Sequence, residues 1–323
     1  MLKDKNSFKM PQTNKKLKHI GSGLIRYFLL IIIGYIVIYP FLYMISWSIK
    51  SEDALLDVTR IWIPKFFSFD SFKKAFEVLN FSSALKRTLL LQVISAAVEV
   101  FSCSMIAYGF ARFKFRGKKI ALFFLIVSLL LPVQMYSLPL AVNYRQLDFF
   151  GIFGLIERLT SVDLRINIFD TNFTFWLPAL FGVGIRSGMI IYIYIQFYSG
   201  LPHELEEAAY VDGAGLFRTY FCIAVPSSSV AIVTVSVLAL IWYWNENFLS
   251  SLCFLDNNWP LSVALYNIEA TLSQEGILLY IGGGKAETII FAACILFIAI
   301  PLVTYLFFQR KFVKNIDRVG ITG

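Results

Sequence analysis

Charge is scarce in this chain: 15% of its 323 residues are Asp, Glu, Lys or Arg, where soluble domains carry about 25%. That argues against an ordinary water-soluble domain. Cysteine is limited to four residues. Cys103 and Cys294 lie inside apolar runs, Cys222 and Cys253 lie near run ends, and none has metal-ligand spacing. Neither a disulfide framework nor a zinc site is implied. The two histidines, His19 and His203, are isolated, which argues against a His-based metal centre. No Gly-x-x-x-x-Gly-Lys-Ser/Thr phosphate loop occurs, and Gly282-Gly283-Gly284-Lys285 has the wrong spacing. No Ser-His-acid arrangement stands out either. The expectation is a chain without catalytic, metal or cofactor sites of its own. The net charge of +8 is not read as a nucleic-acid signal, because no polar segment interleaves basic and aromatic residues.

What is present is apolar: 58% hydrophobic residues, with 32 Phe and 16 Tyr. They gather in runs of 20 or more residues that carry few or no charges, the length a ~30 Å hydrocarbon slab requires. Six candidate spans are predicted, at 24–49, 88–111, 119–141, 174–198, 224–249 and 287–308. The run from Tyr27 to Ile49 is too long for the apolar part of a leader and lacks a small-residue cleavage site before Lys50. It reads as a retained first span. The fold class expected is all-α, an integral membrane bundle of six helices with one cytoplasmic helix pair.

Basic residues mark one side. The N-terminal tail holds Lys3, Lys5, Lys9, Lys15, Lys16 and Lys18. Arg112-Phe113-Lys114-Phe115-Arg116-Gly117-Lys118-Lys119 is densely basic, and the C-terminal tail carries Arg310, Lys311, Lys314 and Arg318. The positive-inside rule makes that side the cytoplasm, with both termini on it. Arg112–Lys119 is read as a topology and lipid-headgroup signal. The loop 199–223 departs from the rule. It falls on the same side, yet carries Glu204, Glu206, Glu207 and Asp212 against Arg218.

Local chemistry gives that loop a shape. Pro202 suits the first turn of a helix, and the three Glu that follow suit its positive end. Leu205, Ala208, Ala209 and Asp212 share helical spacing. Gly213 is free to take positive φ, and Asp212 is placed to cap a second helix starting near Ala214. Leu216, Phe217, Tyr220 and Phe221 give the second helix an apolar face, and Pro226 opens the fifth span.

The segment resembles the EAA motif of permeases of ATP-binding-cassette importers. Glu207, Ala208, Ala209, Gly213, Ile223 and Pro226 stand at the family's spacing, and Asp212 with Ala214 completes the form of the carbohydrate branch. Ala107–Lys119, Leu131-Pro132-Val133-Gln134 with Pro139, Trp244-Asn245-Glu246-Asn247-Phe248, Pro260-Leu261-Ser262-Val263 (a strand-like segment) and Gln309–Lys314 are similar to successive segments of the six-span second permease subunit of maltose-type transporters. Lys86-Arg87-Thr88 departs from the Asn-Ser or Asn-Thr pair usual there, and 150–173 is longer and more polar than usual.

The resemblance implies a bacterial inner-membrane permease that works by alternating access. Its partners would be a second, homologous permease subunit, two copies of an ATPase that bind ATP and Mg, an extracellular solute-binding protein, and membrane lipid. The chain would divide into a tail (1–23), a first span (24–49), an extracellular loop (50–87), a permease core (88–310) with coupling loop 202–226, and a second tail (311–323). The ATPase-coupling residues would be Leu205, Glu207, Ala208, Ala209, Asp212, Gly213, Ala214, Ile223 and Pro226, with docking through Leu205, Ala208 and Ala209. Gln134, Tyr136, Trp244, Asn245 and Glu246 are candidates for the solute path. An interfacial aromatic belt accounts equally well for the Trp-rich group. Glu99 and Arg186 are intramembrane charges and a candidate polar pair. With Glu246 they also suit the rival reading, a self-contained ion-coupled secondary transporter, which leaves the loop 202–226 unexplained. Since Arg186 is the single strongly basic residue in the interior of the spans, with Arg26 and Lys119 at span ends, a neutral oligosaccharide is the solute expected.

Overall fold

The structure is a computed structural model that describes residues 12–55, 62–64, 66–148, 151–255, 258–277 and 284–319. These residues are helical, without a strand among them. Two isolated bridges pair Lys50 with Phe67 and Leu147 with Ile166. The described residues fall into two compact units. One comprises the residues before Lys74 with the start of the last helix up to Ile295, and the other comprises the remainder.

The first unit holds α1 (Gln12–Ser48), α2 (Glu52–Leu55) and the start of α3 (Asp70–Val78). From Tyr27 onward α1 is apolar on every face, and from Leu24 to Leu42 most of its large side chains are exposed. A helix apolar on every face with no core around it suits lipid or a partner chain. Tyr39 and Tyr43 pack edge-on against Trp62, and Tyr43 also meets Phe291 at 5.7 Å between ring centroids. The Ser71 and Thr288 hydroxyls hydrogen-bond at 3.0 Å.

The second unit is organised around α4 (Phe81–Arg112). It continues through α5 (Lys118–Leu130), α6 (Val133–Arg145), α7 (Ile152–Thr160), α8 (Phe173–Leu180), α9 (Ser187–Gly200), α10 (Glu204–Val211) and α11 (Leu216–Thr219). A π-turn (Tyr220–Ala224), α12 (Val225–Ser227), α13 (Ser229–Trp244), α14 (Phe248–Cys253), α15 (Leu261–Tyr266) and α16 (Ile268–Gln274) follow. The last helix, α17 (Lys285–Val319), begins in the first unit. α4 buries Ala84, Thr88, Ser95, Ala96, Ser102, Cys103, Ser104 and Ala107. Small residues of this kind let helices approach closely where no water drives them together, and α8, α9 and α13 pack on α4. Polar ties add direction. Ser102 Oγ donates to the Ala179 carbonyl at 2.5 Å, Gln92 Nε2 donates to the Leu240 carbonyl at 2.7 Å, and the Ser104 and Tyr198 hydroxyls lie 2.6 Å apart.

Among the described residues, three helices are long and apolar enough to cross a membrane: Gly23–Ser48 within α1, α4, and Lys285–Leu306 within α17. Two bent pairs bring the number to five. α5 and α6 meet at 100°, and Leu216–Ser227 meets α13 at 78°. Several predicted spans are therefore corrected in form. The third bends at Pro132, which lacks an N–H and keeps Leu131 extended. The fourth breaks into α8 and α9 between Leu180 and Ser187, where Gly182 (φ +68°) and Arg186 (φ +55°) turn the chain. The helix of the fifth stops at Trp244 rather than 249. Apolar content marks a span but does not register such breaks.

The strand-like expectation for 260–263 is also overturned. Pro260 precedes α15, and Leu261, Ser262 and Val263 form its first turn. In the long region 150–173, Asp148 accepts from the backbone N–H groups of Phe153 (2.8 Å) and Gly154 (3.0 Å) at the start of α7, and Arg165 pairs with Glu157.

Candidate functional site

The segment 202–226 holds two short helices, α10 and α11, followed by the π-turn. α10 begins just after Pro202, with the N–H groups of Glu206 and Glu207 donating to the His203 carbonyl, each at 3.0 Å. Its three Glu occupy the first turn, where the positive helix end favours anions. The helix closes in a Schellman arrangement. The Ala214 N–H reaches the Ala209 carbonyl (2.9 Å), the Gly213 N–H reaches the Tyr210 carbonyl (3.0 Å), and Gly213 takes φ +80°. Two details of the sequence reading are corrected. Asp212 does not cap the second helix, which starts at Leu216 after Gly215 with no side-chain cap. Ala209 is buried against its own chain, beside Glu206 on the inward face of α10. The outward surface is formed by Leu205, Glu207, Ala208 and Asp212, continued by Leu216, Phe217 and Phe221. Ala214 and Ile223 are half-buried, and Pro226 is exposed.

The inward face is tied to α4 by a contact the sequence did not reveal. Arg112, the last residue of α4, donates through Nε to Glu206 Oε1 at 2.8 Å, with the two side chains only 3% and 8% exposed. Its Nη2 donates to the Leu201 carbonyl at 2.9 Å, and its Nη1 lies 3.2 Å from the ring nitrogens of His203. Lys114, Arg116 and Lys119 of the same basic run are exposed. The one readable signal was the surplus of acid in a loop on the basic side.

The path candidates separate into two groups. Tyr136, Arg186 and Glu246 line one cavity of about 120 Å³ between α6, α8, the 181–186 break and α14. The Arg186 guanidinium sits over the Trp242 ring at 5.2 Å. Glu246 Oε1 accepts from the Leu249 N–H at 2.6 Å at the start of α14. Gln134, Trp244 and Asn245 do not line this cavity. Gln134 is exposed. Trp244 is buried against Phe297, and its edge joins Asn245 on a separate apolar groove with Leu89 and Ile300. Glu99 is fully buried and accepts from Ser187 Oγ, beside Tyr243 and Gly184. No ion pair joins Glu99 to Arg186 among the described residues, so the pair proposed from sequence does not form.

Comparison with known proteins agrees with this architecture. Residues 102–318 match the family described as binding-protein-dependent transport system inner membrane component. The chain belongs to that family. It is 27% identical over 305 residues to a polygalacturonan/rhamnogalacturonan transport system permease of Bacillus subtilis, covering 93% of this chain and 97% of that one. It is 27% identical to the trehalose transport system permease of Mycobacterium tuberculosis, over 91% of this chain and 95% of that one. It is 29% identical to a probable permease for starch degradation products of Thermoanaerobacterium thermosulfurigenes, over 72% and 76%. The fold is that of a chain in the crystal structure of a bacterial transporter that imports alginate, with a TM-score of 0.69 at 19% identity, covering 94% of this chain and 99% of that one. As a member of an inner-membrane transport family, the chain is a membrane component of transport rather than a catalyst.

Proposed function

We propose that this chain is the permease subunit of an ATP-binding-cassette importer for an oligosaccharide. It would span the bacterial cell membrane six times with both termini in the cytoplasm. A second permease subunit would complete the path, an extracellular binding protein would deliver the solute, and two ATPase subunits would bind ATP and Mg. The observation that carries this reading is the outward surface of α10 and α11. Leu205, Leu216, Phe217 and Phe221 are all about half exposed or more on a short helix pair. An apolar ridge of that kind calls for a protein cleft, and several relatives are permeases of carbohydrate transport systems. The cavity of Tyr136, Arg186 and Glu246 is the part of the path we assign to this subunit. An aromatic and a few convergent polar groups are what a sugar requires.

Coupling follows from state preference. ATP closes the ATPase pair, the ridge follows its cleft, and ATP therefore favours the outward-open arrangement of the permease pair. The experiment is affinity co-purification from native membranes, with mass spectrometry of the partners. Recovery of an ATPase, a second permease and a binding protein supports the importer. The recovered binding protein is then screened against neutral and acidic oligosaccharides. Recovery of this chain alone overturns the reading.

A further inference from the structure

We propose that Arg112 is a positioning residue that clamps the coupling helix α10 to α4, so that displacement of α10 is handed directly to the central helix. The inference rests on the importer reading above. Its physical basis is the ion pair with Glu206, which differs in kind from the rest of the basic run. A residue that only sets topology sits in water or among lipid headgroups, as Lys114, Arg116 and Lys119 do on the exposed surface. Arg112 is instead withdrawn from solvent, with a carboxylate, a backbone carbonyl and an imidazole all within 3.2 Å.

The contacts are placed where a lever needs them. Leu201 ends α9, His203 precedes α10, and Glu206 lies in the first turn of α10. One guanidinium therefore grips the entry and the first turn together. α10 has eight residues, too few to hold a fixed direction alone. Its backbone neighbours are the still shorter α11 and the π-turn. Without the clamp, its covalent route into the bundle is the extended link at Leu201 to α9. With the clamp, it has a second route into α4. That helix is locked to α9 through Ser104 and Tyr198 and to α13 through Gln92. A motion that enters at α10 thus reaches the helix that carries Glu99 and borders the path-side bundle.

A buried ion pair is not retained for stability, since its desolvation cost offsets most of its attraction. What it supplies is geometry. A bidentate-capable, planar Arg fixes direction in a way that an apolar contact does not.

The test uses the whole assembly in lipid nanodiscs, with its co-purified binding protein as the probe. The quantity read is how far that binding protein raises ATP hydrolysis above the basal rate. Arg112→Gln and Glu206→Gln are compared with wild type and with the exchange variant R112E/E206R. The clamp predicts that both single variants keep their ATPase and basal hydrolysis but lose about tenfold in stimulation, and that the exchange variant regains most of it. Stimulation within twofold of wild type in both single variants overturns the clamp. So does an assembled exchange variant that remains unstimulated. Loss of the ATPase from the single variants, the isosteric E206Q included, also overturns it, because the pair would then serve folding alone. Absence of stimulation in the wild type overturns the importer reading itself, an outcome separate from all of these.

Discussion

Ser187 donates its hydroxyl hydrogen to the Glu99 carboxylate inside the second unit, where both side chains are closed off from solvent. The bond joins the middle of α4 to the first residue of α9, just past the break at Arg186. Its role is to pin the broken span to the central helix. A carboxamide has the same shape and can accept the same hydrogen. Glu99→Gln is therefore expected to leave assembly and binding-protein-stimulated ATP hydrolysis within about threefold of wild type, whereas Glu99→Ala removes the acceptor, leaves a void and lowers stability by about 3 kcal/mol. Thermal unfolding of the purified assembly reads the second effect. A proton relay through Glu99 requires the opposite order, with E99Q as inactive as E99A.

Gly184 tests the same cluster from the other side. A Cβ built there would lie 2.7 Å from the Tyr243 hydroxyl oxygen and 2.9 Å from Glu99 Oε1. Both are closer than real Cβ contacts allow, so Gly184→Ala should cost about 1–3 kcal/mol by overpacking. Removing the Tyr243 hydroxyl opens part of that space. The double variant G184A/Y243F should therefore unfold at a higher temperature than G184A. Equal melting of the two would show that the strain lies elsewhere.

The contrast between these residues and the segment 202–226 shows what a sequence carries. The two short helices within 202–226 are legible because their determinants are local: Pro202, acids in a first turn, and Gly213 at a position that needs positive φ. Long apolar runs likewise announced α1, α4 and α17. The breaks were less visible. Pro132 falls inside the predicted third span, 119–141, yet stands at a 100° bend, and nothing in Phe181–Arg186 interrupts the apolar pattern enough to announce a turn. The tertiary pairs were not legible at all. Arg112 meets Glu206 across 94 positions and Glu99 meets Ser187 across 88, and no local rule of spacing links such residues. Arg186 illustrates the limit. Its charge was noticed, but its partner was taken to be Glu99, whereas the chain reversal at φ +55° carries it to Trp242 and the cavity of Glu246.

Gly213 separates backbone strain from crowding. No heavy atom lies within 4 Å of a Cβ built there, yet its φ is +80°. Within this chain, the cost of substitution comes from the dihedral alone. Asn visits that region readily, Ala at a cost of about 1 kcal/mol, and a β-branched residue at greater cost. The expected ranking for retention of the ATPase during purification is Gly, then Asn, then Ala, then Val. If G213V retains the ATPase as well as G213N does, the turn is not what presents the helix pair.

At the other end of α4, Thr88 explains part of the departure at Lys86-Arg87-Thr88. Its Oγ1 donates to the Ala84 carbonyl at 2.8 Å and accepts from the Leu261 N–H at 2.8 Å, so one hydroxyl holds the first turn of α15 against α4. Arg87 adds a parallel tie, with Nη2 donating to Asn258 Oδ1 at 2.6 Å, and Asn258 Nδ2 in turn donating to Asp170 Oδ2 at 2.6 Å. Thr88 is buried, so losing its hydroxyl strands the Leu261 N–H away from water. Thr88→Val preserves shape and removes the hydroxyl, both as acceptor for the Leu261 N–H and as donor to the Ala84 carbonyl, at an expected cost of about 1–3 kcal/mol, while Thr88→Ser retains it at well under half that cost. Arg87 is partly exposed, and breaking its tie in Arg87→Met should cost less than T88V. Thermal unfolding of the three variants checks the order. If R87M proves the most damaging, the Asp170–Asn258–Arg87 chain, rather than the Thr88 hydroxyl, holds α15 in place.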